Sequence, residues 1–436
     1  MKMRRGRILP FIVAAIVIFL DTAYAQEPPL PFQSVASATS ESAREILGRV
    51  RPSVIMISGF YGTNSAPAFH GTGFSVTADG AFLTNYHVVA ELVTLPGKYR
   101  LEYRTNEGKT GKLQVVVVDV RHDLAVVRAD DYAAPPLKIA SSNPEKGERA
   151  FSVGFPLDVG LTITEGISNG LVQDSFEARL HYSGAINAGM SGGPAFDASG
   201  NVIGINVSGY FLQQLVSFLV PVDRAKSLIA RASGPLPDAE MLKADVLAQV
   251  RAHSNDLLGA LDGPIKTQVV GGFILPAQLA PFVDCSASGD TSSNRPVDRV
   301  RIECNGKAGI QLRPGFVVGD IHYIHTILTD SKLGSWRFAN RLSAFSAASG
   351  RFGLRQHLGP FACETRAIKL KGFDANAIVC ARGYRKLTGI YDFTVRVVSL
   401  SYPDRGFVSH LDLSGLEFDS GLAFVQRFLE SMESQP

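Results

Sequence analysis

The chain has 436 residues, 45% of them hydrophobic and 19% charged, which is the profile of a globular protein long enough for two domains or more. Its formal net charge of +3 is accounted for by Lys2, Arg4, Arg5 and Arg7 against Asp21, so the rest is near neutral. That excludes a basic footprint for nucleic acid, and no long low-complexity run argues for disorder.

In chain order, MKMRRGRILPFIVAAIVIFLDTAYAQ gives a basic start, an apolar run from Ile8 to Leu20, and Ala23-Tyr24-Ala25 in the small-x-small form that signal peptidase reads. The apolar run of about 13 residues falls short of the roughly 20 that span a bilayer as a helix. Residues 1–25 are therefore expected to be a signal peptide of bacterial type, cleaved after Ala25. The mature chain is then periplasmic or secreted and keeps no membrane span. The Pro- and Ser-rich stretch that follows predicts a flexible leader over 26–41. SESAREILGRV predicts a short helix, with Ser42 and Glu45 in capping-box spacing.

From Pro52 to about Val222 the pattern is β-rich. The runs SVIMISGF, GTGFSVT, AFLTNYHVV, KLQVVVVDV, LAVVRA, NVIGINVSG and VSFLVPV are separated by Gly, Asp and Asn turns, which predicts an all-β barrel or sandwich. The helix-like DRAKSLIARA closes a unit over 42–232, and SGPLPD at 233–238 reads as a linker. Residues 239–436 are expected to form a mixed α/β domain. It opens on the helix AEMLKADVLAQVRAHSNDLLGAL and closes on SGLAFVQRFLESM, whose period puts Leu422, Val425, Phe428, Leu429 and Met432 on one face.

The four cysteines, Cys285, Cys304, Cys363 and Cys380, all fall in this second half. An even number in an exported chain implies disulfides, and of the three pairings the sequence-local one, 285 with 304 and 363 with 380, is preferred. No C-x2-C spacing or histidine accompanies them, so no zinc is expected, nor any other metal or cofactor. APFVDC...IEC...GDIHYIHTIL resembles GPFAC...IVC...IYDFTVRVVSL, which suggests a duplicated hairpin unit.

Chemistry concentrates at GAINAGMSGGPAF, residues 184–196, where Ser191 sits in a turn of small residues. A serine hydroxyl attacks a carbonyl usefully when a base takes its proton and a third group orients that base. Two upstream residues offer those roles: His87 in LTNYHVV and Asp123 in VVDVRHDLAVV. His122 projects to the opposite face if its segment is extended, so it reads as a surface residue.

In order, GTGFSV, LTNYHVV, HDLAVV, VGFP, EGISNG and NAGMSGGPAFD...VIGIN resemble the motifs of the Deg/HtrA family of trypsin-like serine proteases, over roughly residues 42–230. The resemblance implies a chymotrypsin-like double β-barrel with His87 as general base, Asp123 as its orienting partner and Ser191 as nucleophile. It also implies an oxyanion hole from the backbone N–H groups of Gly189 and Ser191. By family position Ala185, Ile186, Ile205, Asn206 and Val207 line the pocket for the residue before the scissile bond, which favours a small apolar side chain. Met190 departs from the Asn or Asp usual there and cannot pair with a freed N-terminus, so zymogen-type activation is excluded. The family commonly adds PDZ domains; the cysteines and element order of the second half do not match one. The expected activity is serine endopeptidase action on polypeptides, unfolded or envelope proteins, through an acyl-enzyme, in envelope quality control. The competing reading is a catalytically silent scaffold that binds an envelope partner through the second half. The sequence sets no oligomeric state.

Overall fold

The computed structural model describes residues 37–156, 159–207, 216–290, 296–313, 315–330, 332–344, 356–400 and 402–435. The expected signal peptide lies outside them. Helix α1 (Ser37–Val50) begins inside the stretch read as leader, so Ser42 is within the helix rather than capping it.

Strands β1 (Val54–Tyr61), β2 (Phe69–Ser75), β3 (Ala81–Thr84), β4 (Tyr99–Thr105), β5 (Thr110–Asp119) and β6 (Leu124–Ala129) close into an antiparallel barrel in the order β1-β2-β3-β6-β5-β4. In β4 the buried Leu101, Tyr103 and Thr105 alternate with Arg and Glu, the signature of a strand with one face on a core. The run AFLTNYHVV is not one strand. It breaks at Asn85, and helix α2 (Tyr86–Thr94) follows, burying Tyr86, Val89, Ala90 and Val93.

A second barrel contains β7 (Arg149–Gly154), β8 (Thr162–Leu171), β9 (Leu180–Tyr182), β10 (Pro194–Phe196), β11 (Val202–Val207) and β12 (Ser217–Pro221), closed as β10-β11-β12-β9-β8-β7. The barrels share apolar packing: Val54, Phe74, Leu83 and Val126 of the first join Phe151, Phe196, Ile205 and Val220 of the second in one buried cluster. At about 25 cal/mol per Å² of apolar surface buried, such a seam holds the barrels in a fixed relation.

Helix α3 (Lys226–Arg231) leads to α4 (Ala239–Ala260), which Asp238 caps by accepting the Met241 N–H. The second half then runs β13 (Thr267–Val270), β14 (Phe273–Pro276), β15 (Val283–Asp290), β16 (Val297–Gly306), β17 (Ile310–Arg313), β18 (Phe316–Val318) and β19 (Ile321–Asp330). It continues through α5 (Ser335–Ser343), β20 (Ala362–Leu370), β21 (Phe373–Gly383), β22 (Ile390–Ser399), β23 (Arg405–Glu417), α6 (Phe418–Glu430) and β24 (Glu433–Ser434). Its main sheet is seven-stranded and antiparallel, ordered β15-β16-β19-β23-β22-β21-β20. The disulfides Cys285–Cys304 and Cys363–Cys380 join directly opposed residues of the two outermost hairpins. On α6, Phe424, Val425 and Phe428 are buried while Leu422 is 42% exposed. The expected stripe is therefore rotated toward Phe424.

The two halves share a buried interior. One apolar cluster takes Phe82, Tyr86 and Val93 from the first barrel and α2, Val246 and Val250 from α4, and Leu312 from β17. Gln249 of α4 continues the contact in polar form, donating to Val118 O at 2.9 Å and accepting from Val120 N at 2.8 Å. Among the described residues, no helix is long and apolar enough to cross a membrane.

Candidate active site

The first turn of α2 is built around Asp123, which lies in the β5–β6 turn. Asn85 is fully buried and donates its side-chain amide to Asp123 O at 2.8 Å. The carboxylate then accepts twice from His87: Oδ1 from the backbone N–H at 2.9 Å, Oδ2 from the ring Nδ1 at 2.7 Å. One side chain thus satisfies an orphan donor of the helix and places a negative charge at its N-terminus, where the dipole favours it. To reach both, Asp123 adopts φ 61°, a left-handed conformation that Asp tolerates better than most residues and that recurs at functional sites. A carboxylate only accepts, so Nδ1 carries the proton and Nε2 of the neutral ring keeps its lone pair. Burial pulls the His87 imidazole down, but the Asp123 charge and hydrogen bond outweigh it, so the ring titrates above its ordinary value.

The Ser191 turn is held from both barrels. Thr72 of β2 donates its N–H to Ser191 O at 2.8 Å and its hydroxyl to Gly189 O at 2.7 Å. From the second barrel, Asn206 O accepts from Gly192 N at 2.9 Å, and the Asn206 amide donates to Met190 O at 3.2 Å and Val153 O at 3.0 Å. Gly192 has φ 82°, and a Cβ there would lie 2.2 Å from Thr84 Oγ1, so the turn demands glycine. Within the turn Met190 N donates to Asn187 O and Gly193 N to Met190 O, each at 3.0 Å. Among the described residues no acceptor engages the N–H groups of Gly189 and Ser191. Met190 itself is fully buried. Gly71 lies between the two parts of the site: a Cβ on it would strike the Val88 side chain of α2 and approach Ser191 O at 3.2 Å.

The expected pocket residues divide in two. Ile205 is buried in the seam between barrels, and Asn206 is buried with its amide wholly engaged. Ala185 is exposed, Ile186 part-buried, and Val207 ends β11 opposite Phe218. His122 is not a free surface residue. The β5–β6 turn aims its ring at Asp119 (2.7 Å) and Glu177 (3.3 Å). Those carboxylates outweigh its burial and raise its pKa to about 9. Two further features escape a sequence reading. The His70 ring lies against Gly189, with a buried Nε2 that has no partner among the described residues. The segment from Val172 to Arg179 is pinned to the second half by Phe176, which packs edge-on against His253 and Phe282, and by Arg121, which bridges Glu177 and Asp256.

Two closed six-stranded barrels with a hydrogen-bonded His–Asp pair on one and a glycine-bounded serine turn on the other define a trypsin-like peptidase domain. Residues 71–205 match the trypsin-like peptidase domain family. This part of the chain is similar to serine proteases of the Deg/HtrA kind. It is 29% identical over 202 residues to serine protease HTRA1 of Xenopus laevis, covering 43% of this chain and 42% of that one. It is 33% identical over 176 residues to a DegP-like periplasmic serine endoprotease of Pseudomonas savastanoi pv. phaseolicola, covering 38% and 35%. The chain thus spans less than half the length of these two relatives. The crystal structure of Deg5 aligns with 26% identity and a TM-score of 0.39, over 44% of this chain and 96% of that one.

Proposed function

We propose that the chain is an exported serine endopeptidase that hydrolyses polypeptides through an acyl-enzyme, with His87, Asp123 and Ser191 as its triad. The observation that carries this reading is the double acceptance by Asp123, which fixes the His87 ring in the tautomer whose Nε2 can take a proton from Ser191. In the first half-reaction the Ser191 oxygen bonds to the carbonyl carbon while His87 receives its proton. His87 then returns that proton to the departing amine, and water completes hydrolysis by the same route. The N–H groups of Gly189 and Ser191 would hold the oxyanion, a contribution worth about 10²–10³ in rate for one donor. Ala185, Ile186 and Val207 offer apolar walls for a small side chain before the scissile bond. Export to the periplasm and a role in envelope protein quality control complete the proposal, by analogy with the DegP-like relatives. Fluorophosphonate labelling tests it. The mature protein is expected to label and Ser191→Ala not to, with peptide cleavage lost in parallel; a labelled Ser191→Ala, or an unreactive wild type, overturns it.

A further inference from the structure

A cleft of about 340 Å³ opens between the second barrel and the second half of the chain. It is far larger than the ~10–15 Å³ that admits one water. Val172, Arg179, Val207 and Phe218 line it from the barrel, and Lys307 and Val317 from the opposite side. Val207 directly follows Asn206, which holds the Ser191 turn through Gly192 and Met190. The cleft therefore begins where the pocket proposed for the residue before the scissile bond ends.

The charges in this cleft are unevenly matched. Glu177 is held by Arg121 and His122. Asp320 accepts from the Ile321 N–H at 2.9 Å, and Lys307 pairs with Asp284. Arg179 differs. Its guanidinium is part-buried and donates to the carbonyl of its neighbour Ala178 at 3.1 Å, and among the described residues no carboxylate pairs with it. Burial depresses its pKa, the charges of Asp123, Glu177 and Asp119 only partly restore it, and the like charge of Arg224 adds to the depression. Arg179 lines this cleft, and a planar guanidinium is matched to a carboxylate, which it can engage through two parallel hydrogen bonds.

We propose that the cleft is a specificity subsite in which Arg179 receives an acidic side chain of the polypeptide substrate, about two to four residues before the scissile bond in an extended chain. The apolar Val172, Val207, Phe218 and Val317 pack against its methylenes. The second half of the chain thereby becomes part of the substrate site, because it supplies the far wall. This rests on the peptidase reading above.

The test uses the mature protein and paired fluorogenic peptides that differ only by Glu or Gln at each position before the cut. At one position Glu is expected to exceed Gln by about 10- to 100-fold in kcat/KM. In Arg179→Gln that ratio should fall to about 1, and in Arg179→Lys an intermediate ratio should remain. Equal rates for Glu and Gln peptides at every position in the wild type, or an unchanged ratio in Arg179→Gln, overturns the proposal. Should Arg179→Gln fail to fold, the wild-type ratios and Arg179→Lys decide. Fluorophosphonate labelling separates the two ideas: a labelled enzyme without an acidic preference sinks the subsite alone. If labelling fails, binding of the same peptides to Ser191→Ala, read by fluorescence anisotropy, still discriminates. A Glu preference there supports the subsite, and equal binding overturns it.

Discussion

Glu91, near the end of α2, and Arg313, at the end of β17, form a buried ion pair at 2.5 Å. The same guanidinium donates to His357 Nε2 at 2.5 Å. His357 is kept neutral by burial and by the charges of Arg313 and Lys386, which depress its pKa to about 4, so it can accept that bond. The helix that begins with Tyr86 and His87 is thus clamped at its far end by the second half of the chain.

Breaking that clamp from one side leaves a buried charge without its partner, a loss of about 3–5 kcal/mol. Glu91→Gln is accordingly expected to lower the urea midpoint and to speed amide exchange along α2. Replacing both partners by apolar residues, Glu91→Leu with Arg313→Met, should recover most of the midpoint. An unaltered midpoint in Glu91→Gln would show that the pair is not an anchor.

Acid should act on the second half through two histidines. Burial depresses His325 to about 4, as it does His357 together with its cationic neighbours. Between the unfolded value of about 6.5 and those folded values the unfolded chain binds protons that the folded chain refuses. Stability contributed above about pH 6.5 is therefore lost as the pH falls toward 4. Denaturation midpoints across that window, compared with those of His325→Asn, test this. The variant should show the shallower slope.

The His122 cluster has the opposite sign. Its folded pKa of about 9 exceeds the unfolded value, so its contribution is complete below about pH 6.5 and disappears as the pH rises through 9. Because Glu177 is one of its partners, the segment from Val172 to Arg179 should loosen in that range. Limited proteolysis is expected to cut there at high pH in the wild type, and at neutral pH in His122→Gln.

Catalysis should follow the ionisation of His87. The ring must be neutral to act as a base, and its pKa is raised, so kcat/KM should climb with pH through a midpoint above about 6.5. Asp123→Asn should cost about 10⁴-fold by favouring the wrong tautomer. Asn also tolerates the left-handed backbone of Asp123, so this variant separates the chemistry from the turn better than Ala would.

The sequence shows much of this because local rules carry it: strands β1, β5, β6 and β12 match their β-branched runs closely, and the small residues around Ser191 declare a tight turn. It misleads at Tyr86–Thr94, where Val88 and Val89 read as strand. There the first turn of the helix is tied to a carboxylate from another segment, Asp123, which no local pattern encodes. The same holds for His122, whose partner Glu177 is remote in sequence. Arg179 gives no signal at all, since its setting exists only once the second half closes over the second barrel. On α6 the period is right but its phase is set by the sheet beneath, which takes Phe424 and leaves Leu422 to solvent.

The placement of the disulfides has a consequence for how the chain would fail. Strands β15 and β20 are the outer rims of the seven-stranded sheet, and both are largely exposed along their length. A rim strand carries a row of unpaired N–H and C=O groups that can recruit another chain. Each covalent rung fastens a rim strand to its inner neighbour, so the rim cannot peel away and uncover the next row. Thiol reduction is then expected to turn a monomer-friendly sheet into a sticky one. Light scattering should rise on adding reductant before the barrels melt.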